Sequence, residues 1–489
     1  MIRYLKFLFC GAISSLLFPP FLFFPIGFIV CPFLFYLIID KKNQNLNKTK
    51  IFLNGFFYGL GLNSILLNWI KEPFLVDLNT ADFFWFSYLL IIYVSIYFGF
   101  IFLFLSYFKK NLSKLIILPS LIVTFEIIRA NFIYGFPWVT FSLAASDNLY
   151  LLQIAYYLGT EGLSLYVLTL FFSPILIYFL IIKYQIKQVY FIISIFIFLS
   201  ISLFYLSYNR LHNDEKFSDK KLVNLSINQL NYAENEKNLE EIHNIISKNT
   251  NTMYIFSEID YPHLVDTNFI SSDFKKSLKT GSSVLIGGIR KINNNFYNSL
   301  FYVSNKNFEI FDKKILVPFG EFLPFRKYLK FLSPISGNID LQKGKNQRLI
   351  NSSYHFSFIP IICYEIIFNK LILTKDNVNF PIMVNITNDS WFGEYSGPFQ
   401  HFYLSRIRSV EFNKYLVRVS NNGISAIIDN YGNIINMLPL NKTGKIEYQL
   451  FIPESIDNKY RYHFIIYIIL LFLFFVAILI DVIFRKSKN

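Results

Sequence analysis

The residue with the clearest chemical potential in this 489-residue sequence is Cys363. It follows the apolar stretch Phe358–Ile362, which has the composition of a buried strand, and a helical-looking run, Ile366–Thr374, comes after it. A cysteine at such a strand-to-helix turn lies near backbone N–H groups and the positive end of the helix dipole, which favour the thiolate. The pattern therefore suggests a nucleophile, and it equally allows a small buried side chain at a strand end.

Two charged residues and one turn could belong to the same site. Glu258 ends the apolar stretch Met253–Ser257, and α/β domains usually carry their chemistry at the carboxyl ends of strands. Lys313 precedes the apolar segment that begins at Ile315, and Asn388–Gly393 has the pattern of a structured turn. A solvated strand cap, a surface lysine and an ordinary loop would fit the same patterns, so the patterns alone leave these roles open.

Other reaction classes lack their usual residue patterns. His355 and His401 are the histidines nearest to Cys363 in sequence, but no signature of a papain-like pair surrounds either. There is no Gly-x-Ser-x-Gly elbow, and the glycine-rich stretches lack the lysine of a phosphate-binding loop. The six histidines show no metal-ligand spacing, and the three cysteines are too scattered for a disulfide framework or a zinc site. We therefore expect neither a metal nor a cofactor.

The soluble part of the chain, residues 208–462, has the alternation of an α/β domain. A strand-like run at Leu222–Asn228 is followed by a charged segment with helical spacing, Asn235–Lys248. Asp429–Gly432 is a turn signal between two strands and predicts a hairpin. The further predicted strands are Met253–Ser257, Ser283–Gly288, Asn298–Val303, Phe356–Cys363, Phe380–Ile386, Tyr415–Ser420, Ile424–Asp429 and Ile434–Leu438.

The rest of the chain is strongly apolar. Hydrophobic residues make up 54% of the sequence and charged residues only 16%, against about 25% in ordinary globular chains. Apolar runs close to the ~20 residues that cross a bilayer follow one another, which argues against the core helices of a soluble protein. The first run lacks a small-residue cleavage signal and is interpreted as a retained span. The eight predicted spans are Tyr4–Phe18, Phe21–Ile39, Ile51–Ile70, Phe83–Phe108, Leu115–Ile128, Leu149–Ile182, Val189–Tyr205 and His463–Phe484.

Basic residues predict the orientation of these spans. With eight spans, 14 Lys and Arg residues fall on the side of the N-terminus and only 2, Lys71 and Arg129, on the opposite side. Because basic loops remain in the cytoplasm, we expect both termini there and residues 208–462 on the outer face. The formal net charge of +14 is then mainly a signal of topology and does not imply nucleic-acid binding.

Several motifs together resemble the apolipoprotein N-acyltransferase family, the membrane member of the nitrilase (carbon–nitrogen hydrolase) superfamily. The resemblance covers nearly the whole chain. The motifs are Leu316–Glu321, Ile362–Glu365, Thr387–Gly393, Gly397–Phe402 and Ser420–Ser425, with Glu126, Arg129 and Gly135–Trp138 in the membrane part. Three positions depart from the usual family pattern: Ser257 replaces a proline, Ile315 a histidine and Asn238 a tryptophan.

The resemblance implies a fold and a set of site residues. The fold is a polytopic α-helical membrane domain, with seven helices in residues 1–207 and the eighth in 463–489, plus an α/β nitrilase-like α-β-β-α sandwich in 208–462. The glutamate, lysine and cysteine of the superfamily map to Glu258, Lys313 and Cys363. The implied supporting or oxyanion residues are Glu321, Tyr364 and Glu365, and the candidate substrate contacts are Phe319, Phe322, Phe325, Asn388, Trp391 and Arg129.

The resemblance also implies a reaction and a location. Cys363 would take a fatty acyl chain from a phospholipid as a thioester. It would then pass the chain to the α-amino group of an N-terminal S-diacylglyceryl cysteine on an apolipoprotein. Glu258 would be the general base, and Lys313 would stabilise the oxyanion. The implied setting is the bacterial inner membrane, with a monomeric enzyme and a periplasmic catalytic domain.

Alternatives remain for the acceptor and for one aromatic segment. With water as acceptor, the protein would be a membrane-bound amidase or thioesterase. A non-enzymatic scaffold or transporter would not need Glu258, Lys313 and Cys363. The aromatic stretch from Phe319 to Leu332 contains Arg326, Lys327 and Lys330, and we expect it to be a lid that dips into the outer leaflet, with a core-packed helix as the alternative.

Overall fold

The computed structural model describes all residues except 41–45, 77–79, 184–185, 213–219, 232–237, 265–266, 334–336, 338, 353–355, 454–455, 457–462 and 487–489. His355 and the first residues of the helix predicted from Asn235 lie outside the described residues. The chain forms two compact units. The helical unit comprises Met1–Lys71, Trp85–Asp214 and Lys459–Asn489, and the α/β unit comprises Glu72–Phe84 and Glu215–Asn458.

A helix coincides with each of the eight predicted apolar runs. Among the described residues, helices α10 to α13 belong to the α/β unit from residue 215 onward, and α4 belongs to its short N-terminal segment. The helices are α1 (Ile2–Ser14), α2 (Gly27–Ile39), α3 (Lys48–Leu66), α4 (Glu72–Val76), α5 (Phe86–Leu105), α6 (Asn111–Asn131), α7 (Leu149–Leu152), α8 (Ile154–Lys183), α9 (Ile186–His212), α10 (Leu239–Ile246), α11 (Thr267–Ser277), α12 (Arg326–Leu329), α13 (Ser396–Glu411) and α14 (Ile465–Lys486).

Not every helix is long enough to cross a membrane alone. Among the described residues, four stretches are long and apolar enough: Ala81–Leu105, Asn111–Asn131, Ile154–Ile181 and Ile465–Val482. A fifth candidate combines Lys48–Leu66 with Asn68–Val76, which are bent by 63°. Helices α1 and α2 have 13 residues each, fewer than the roughly 20 that a straight crossing requires. The structure confirms an apolar helical region, and the count of eight spans stays a prediction.

Three charged side chains inside the helical unit, those of Asp481, Glu126 and Arg129, have partners within it. Asp481 of α14 accepts hydrogen bonds at 2.8 Å from the backbone N–H groups of Lys109 and Lys110, which precede α6. A carboxylate at this end of a helix stabilises the unpaired N–H groups of its first turn. Within α6, Glu126 accepts from the Phe141 N–H at 2.8 Å and Arg129 donates to the Val139 carbonyl. These contacts account for buried charges in an apolar environment.

The α/β unit contains two mixed sheets. The six-stranded sheet has the order β11-β1-β2-β3-β4-β5, and the five-stranded sheet has the order β10-β9-β8-β7-β6. Strands β1, β2 and β3 are parallel to one another, as are β6, β7 and β8. The strands are β1 (Lys220–Gln229), β2 (Thr252–Ile255), β3 (Ser283–Ile292), β4 (Asn295–Ser304), β5 (Phe308–Asp312), β6 (Ile359–Ile362), β7 (Ile382–Thr387), β8 (Tyr415–Ser420), β9 (Ser425–Ile428), β10 (Ile434–Leu438) and β11 (Gly444–Pro453).

Burial explains the arrangement of these layers. The strands β2, β6, β7 and β9 are buried along their whole length, as strands covered on both faces must be. Helices α10 and α11 contribute Ile242, Ile246, Ile270 and Phe274 to a core shared with β2, β3 and β4. Strand β1 contacts β8 and β4 contacts β6, so the two sheets face each other. Helix α13 contacts β8, which gives the predicted α/β sandwich.

The sequence located most, but not all, of these elements. The predicted ranges of β8 and β10 match the structure, and the hairpin at Asp429–Gly432 joins β9 to β10. Strands β5 and β11 and helices α11 and α13 were not predicted. The predicted helix Ile366–Thr374 is wrong, because only short 3₁₀ turns, Cys363–Ile367 and Asn369–Leu371, follow β6.

Candidate active site

The three predicted catalytic residues follow three different strands of the α/β unit. Glu258 lies three residues beyond β2, Lys313 directly follows β5 and Cys363 directly follows β6. Two of these strands belong to the six-stranded sheet and one to the five-stranded sheet. The site is therefore built where strand ends of the two facing sheets meet, and no single local segment contains it.

Lys313 joins two carboxylates in a buried cluster. Its Nζ lies 3.2 Å from Oε1 of Glu258 and 2.9 Å from Oε1 of Glu321. The Asn298 amide donates to the same two oxygens, at 2.8 and 3.0 Å. Lys313 and Glu258 are only 1% and 4% exposed. The structure thus brings together Glu258, Lys313 and Glu321 as predicted, and it adds Asn298, which the sequence analysis missed.

The electrostatics of the cluster keep Lys313 charged. Burial on its own lowers the pKa of a lysine. The adjacent Glu258 and Glu321, together with the Cys363 side chain, outweigh that effect and hold the pKa of Lys313 well above its ordinary value. The ammonium group is therefore a fixed positive charge in a site that is closed to water, where charges act most strongly.

Cys363 is a buried thiol with a strained backbone. Its φ angle is +50°, a left-handed conformation that is uncommon outside glycine and often marks functional positions. Burial raises the pKa of the thiol and the nearby Glu258 raises it further, while Lys313 and a hydrogen bond with Thr387 lower it; the net shift is upward. The thiolate that the sequence suggested from a helix dipole is therefore wrong for the resting protein, because no helix follows the turn. A base must remove the proton before Cys363 can react.

Glu258, the predicted base, is held in place by contacts on both of its carboxylate oxygens. Its second oxygen, Oε2, accepts a hydrogen bond at 3.0 Å from the backbone N–H of Asn388. Ile259, the next residue, has a φ of +59°, which is an outlier for a β-branched side chain. A side chain on Gly287 of β3 would come within 2.7 Å of the Glu258 Cα, so the close approach of β3 requires glycine there. The carboxylate is thus held from both sides and aimed into the cluster.

Glu365 has a different environment from Glu258. Both of its oxygens bind the guanidinium group of Arg348, at 2.8 Å each, and they accept three backbone N–H groups, those of Lys314, Ile315 and Ile362. These contacts and Arg348 lower the pKa of Glu365 despite its burial. A carboxylate with all its acceptor sites occupied orients the chain on both sides of the site and does not exchange protons.

A second buried network adjoins Cys363 through Asn385, which donates to the Cys363 carbonyl. Asp389 accepts from Nη2 of Arg418 at 2.7 Å and from the ring of His401 at 2.9 Å. Arg418, His401 and the short hydrogen bonds of Asp389 lower its pKa against the effect of burial. His401 therefore serves this network, and the structure gives it no role as the base of a papain-like pair. An arginine in the middle of the buried strand β8 was the available signal, because a buried charge requires a partner.

The candidate substrate contacts differ in exposure. Phe319 is 43% exposed, Trp391 is 37% exposed and Phe325 is 61% exposed, whereas Phe322 is half-buried. Phe319 and Phe325 both have positive φ angles. The Asn388 side chain accepts a hydrogen bond from the Ser390 hydroxyl at 2.6 Å and so shapes the turn before Trp391.

Two other predicted residues are buried. Tyr364 packs edge-on against Phe368, and burial raises the pKa of its hydroxyl. Arg129 belongs to the helical unit, where it is 4% exposed and donates to the Val139 carbonyl. The predicted roles of Tyr364 and Arg129 therefore stay proposals.

The three departures from the family pattern have local structural roles. Asn238 is the N-cap of α10 and accepts the Glu240 N–H at 2.9 Å. Ser257 donates its N–H to Asp260 at 2.7 Å, which closes the turn that carries Glu258. Ile315 donates its N–H to Glu365 at 3.1 Å. All three positions leave the contacts of Lys313 with Glu258 and Glu321 in place.

Comparisons with known proteins agree with this geometry. The model of the apolipoprotein N-acyltransferase N-terminal domain matches residues 10–173, and the carbon-nitrogen hydrolase model matches residues 273–453. An apolipoprotein N-acyltransferase from Rickettsia typhi is 32% identical over 466 residues, which cover 92% of this chain and 91% of that protein. The chain belongs to the apolipoprotein N-acyltransferase family.

Other family members match along a similar length. The protein of that name from Wigglesworthia glossinidia brevipalpis is 32% identical over 474 residues, 90% of each chain. The one from Rhodopseudomonas palustris is 26% identical over 489 residues, 92% of this chain and 89% of that protein. Family membership confirms the predicted family, the acyltransferase class and the carbon–nitrogen hydrolase type of the α/β unit. It also agrees with a membrane-associated protein.

Proposed function

We propose that the protein transfers a fatty acyl chain from a phospholipid to the α-amino group of the N-terminal S-diacylglyceryl cysteine of apolipoproteins. The observation that carries the proposal is the buried contact of Lys313 with Glu258 and Glu321, whose charges act on the thiol of Cys363. Two lipid-anchored substrates must use one site in turn. A thioester on Cys363 suits this because it keeps the acyl chain on the enzyme between the two steps and reacts readily with amines.

In the first step Cys363 is acylated. Glu258 removes the thiol proton while the sulfur attacks the ester carbonyl of the phospholipid. Lys313 stabilises the developing oxyanion, together with a backbone N–H near Tyr364. The tetrahedral intermediate collapses as Glu258 returns the proton to the leaving oxygen. A lysophospholipid departs and the acyl group remains on Cys363.

In the second step the acyl group moves to the lipoprotein. The α-amino group of the acceptor attacks the thioester, and Glu258 takes a proton from the attacking nitrogen. Sulfur leaves as the thiolate and regains a proton, so that the enzyme returns to its resting form. Glu321 and Asn298 keep Lys313 and Glu258 in position throughout, because they share the same buried hydrogen bonds.

The aromatic segment after Lys313 is a candidate lid for these lipid substrates. Phe325, Tyr328 and Phe331 are 61%, 75% and 72% exposed, which does not fit a core-packed helix. Lys327 and Lys330 are exposed between them, and a lipid surface suits this mixture of aromatic and basic side chains. Unlike Lys327 and Lys330, Arg326 is half-buried. It binds Asp340 at 2.5 and 2.8 Å and so stabilises the conformation of the segment.

The lid is tested by replacing two of its exposed aromatic side chains with polar ones. Replacing Phe325 and Phe331 together with serine is expected to slow turnover of vesicle phospholipid at least tenfold while sparing a short-chain soluble thioester substrate. Phe269→Ser, which changes an aromatic residue of α11 that is 57% exposed, is the matched control. Equal slowing of both substrates would contradict the lid, since it would show damage to the site itself.

The membrane arrangement belongs to the same proposal. Eight spans, with residues 1–207 and 463–489 in the bilayer and both termini in the cytoplasm, would place residues 208–462 at the periplasmic face of a bacterial inner membrane. The asymmetry of 14 basic residues against 2 supports this orientation. Arg129 and Trp391 are proposed substrate contacts, and the enzyme is proposed to act as a monomer.

A transfer assay distinguishes this reaction from hydrolysis. The purified protein is mixed with a dipalmitoyl phospholipid and a synthetic lipopeptide that has an S-diacylglyceryl cysteine at its N-terminus. We expect the lipopeptide to gain one palmitoyl group for each lysophospholipid formed, and the N-acetylated lipopeptide to gain none. Release of free palmitate without modification of the lipopeptide would overturn the proposal and identify a hydrolase.

A further inference from the structure

The end of strand β7 brings a hydroxyl group to the nucleophile. Strands β6 and β7 are parallel neighbours, and Ile362 pairs with Ile386 at their last shared position. Cys363 directly follows Ile362 and Thr387 directly follows Ile386, so the two residues are neighbours at the ends of these adjacent strands. Thr387 is fully buried and Cys363 is 5% exposed. Burial has the largest effect on the pKa of the Cys363 thiol and raises it, whereas hydrogen bonding with the Thr387 hydroxyl lowers it.

The same hydroxyl has a second partner. Its Oγ1 lies 2.9 Å from Oδ1 of Asp389, to which it donates. A threonine hydroxyl has one hydrogen, so it can donate to the carboxylate or to sulfur but not to both at once. While it donates to Asp389, only its lone pairs face sulfur, and they can accept the S–H of a neutral thiol.

Asp389 can release this hydrogen bond without being left unpaired. Its carboxylate also accepts from Arg418 at 2.7 Å and from His401 at 2.9 Å. The chain also approaches it closely at Gly423, where a side chain would come within 2.1 Å of its Oδ2. Arg418 in turn binds Asn385 at 2.6 Å, and Asn385 donates to the carbonyls of Ile361 and Cys363. The network therefore holds the acceptor still while one hydroxyl remains able to turn.

We propose that Thr387 is a further catalytic residue whose hydroxyl turns between Asp389 and the sulfur of Cys363 during the reaction. In the resting protein it donates to Asp389. When Glu258 removes the thiol proton, the hydroxyl rotates about its Cβ–Oγ bond and donates to the thiolate. After the thioester forms, sulfur has lost its charge and the hydroxyl returns to Asp389. The proton of Thr387 stays on its own oxygen at every stage.

The rotation stabilises the thiolate in both halves of the reaction. Sulfur carries charge as it attacks the phospholipid and again as it leaves the thioester under attack by the amine. A hydrogen bond to a charged group changes a rate by about 10- to 100-fold. Lys313 supplies a positive charge near the sulfur and Thr387 a hydrogen-bond donor, so the two groups contribute differently to the stability of the thiolate. The inference rests on Cys363 being the nucleophile proposed above.

Substitutions at Thr387 separate this role from packing. Thr387→Val keeps the shape and removes the hydroxyl, whereas Thr387→Ser keeps the hydroxyl and removes a methyl group. The rate of alkylation of Cys363 by iodoacetamide is followed against pH by peptide mass spectrometry, and acyl-enzyme formation from a dipalmitoyl phospholipid is timed in the same proteins. We expect the valine variant to reach half-maximal alkylation at a higher pH and to acylate about 10- to 100-fold more slowly. The serine variant should match the native protein in both measurements.

Each result of these alkylation and acylation measurements supports or overturns the proposed role of Thr387. Equal alkylation profiles and acylation rates for the valine and serine variants would overturn the role of Thr387. If the valine variant does not fold, Thr387→Ala is measured in its place with the same expectation. If the native protein forms no acyl adduct, the proposed function fails, and the alkylation profiles still show whether Thr387 acts on the sulfur.

Discussion

Among the residues described in the α/β unit, Lys313 and Lys414 are buried, and their pKa values respond to burial in opposite ways. Lys313 lies between Glu258 and Glu321, and its pKa is held well above the ordinary value. Lys414 donates to the carbonyls of Val378 and Phe380, at 2.7 and 2.5 Å, and burial lowers its pKa to about 7. Burial is common to both lysines, so the carboxylates make the difference.

The comparison distinguishes a lysine with a structural role, Lys414, from a lysine in the proposed active site, Lys313. Carbonyl dipoles satisfy the hydrogen-bonding groups of Lys414 without supplying a counter-charge. Two carboxylates keep Lys313 as a permanent cation, and a permanent cation beside the nucleophile can stabilise an oxyanion. A buried lysine therefore indicates a site only when the charges around it are considered as well.

The largest expected effect on the reaction rate comes from replacing Glu258, the proposed general base, which contacts Lys313. Glu258→Gln keeps the size of the side chain but cannot take the proton of Cys363, so acyl-enzyme formation should fall by about 10²- to 10⁴-fold. The protein should still fold, because Glu321 continues to pair with Lys313. Stopped-flow or quenched mass spectrometry measures the rate, and Glu447→Gln on the surface is the control. A rate within a factor of three of the native value would remove Glu258 from the mechanism.

The second prediction compares the effects of replacing the two lysines on the rate of acyl transfer. Lys313→Met should slow acyl transfer by about 10²- to 10³-fold, the usual consequence of losing one oxyanion donor. Lys414→Met should leave the rate unchanged, since its ammonium group binds only the carbonyls of Val378 and Phe380 among the contacts in the described chain. Similar losses in both variants would show that the comparison reflects folding alone.

The smallest expected effect is a change in the free energy of unfolding with pH. Because the folded pKa of Lys414 is about 7, below the 10.5 of an unperturbed lysine, the unfolded chain binds more protons between these values. Stability should therefore rise from pH 7 towards pH 10, by at most about 1.4 kcal/mol per pH unit from this group. Thermal melting in detergent at several pH values measures the slope, which Lys414→Met should reduce. A slope that is unchanged in the variant would mean that Lys414 is charged in the folded protein.

Sequence reasoning identified the candidate reactive residues but not the contacts that hold them. Glu258, Lys313 and Cys363 were identifiable because each adjoins an apolar stretch and because surrounding motifs resemble a known family. The hydrogen bonds of Asn298 could not be foreseen, since they depend on the antiparallel pairing of β4 with β5, a strand that the sequence did not reveal. Arg348 lies in a polar loop segment with no local signal, yet its guanidinium fixes Glu365. Tertiary pairing, which local patterns do not encode, decides both contacts.

The ionisation of Cys363 shows the same limit. A helix after the cysteine predicted a stabilised thiolate, but the chain continues as a short 3₁₀ turn and the thiol is buried. The pKa of the thiol is therefore raised, so a base has to remove the proton before the sulfur can react, and Glu258 is the residue proposed for this step. Local sequence thus predicted a thiolate where the surroundings of Cys363 favour the neutral thiol, and the role of Cys363 as nucleophile stays a prediction.

The most direct test of the central claim is the mass of the intact protein after incubation with a dipalmitoyl phospholipid. The native chain should gain the mass of one palmitoyl group, held as a hydroxylamine-sensitive thioester, and Cys363→Ala should gain none. Cys10 and Cys31, which are buried in the helical unit, remain in both proteins and serve as internal controls. A palmitoyl adduct on both proteins, or on neither, would contradict the account.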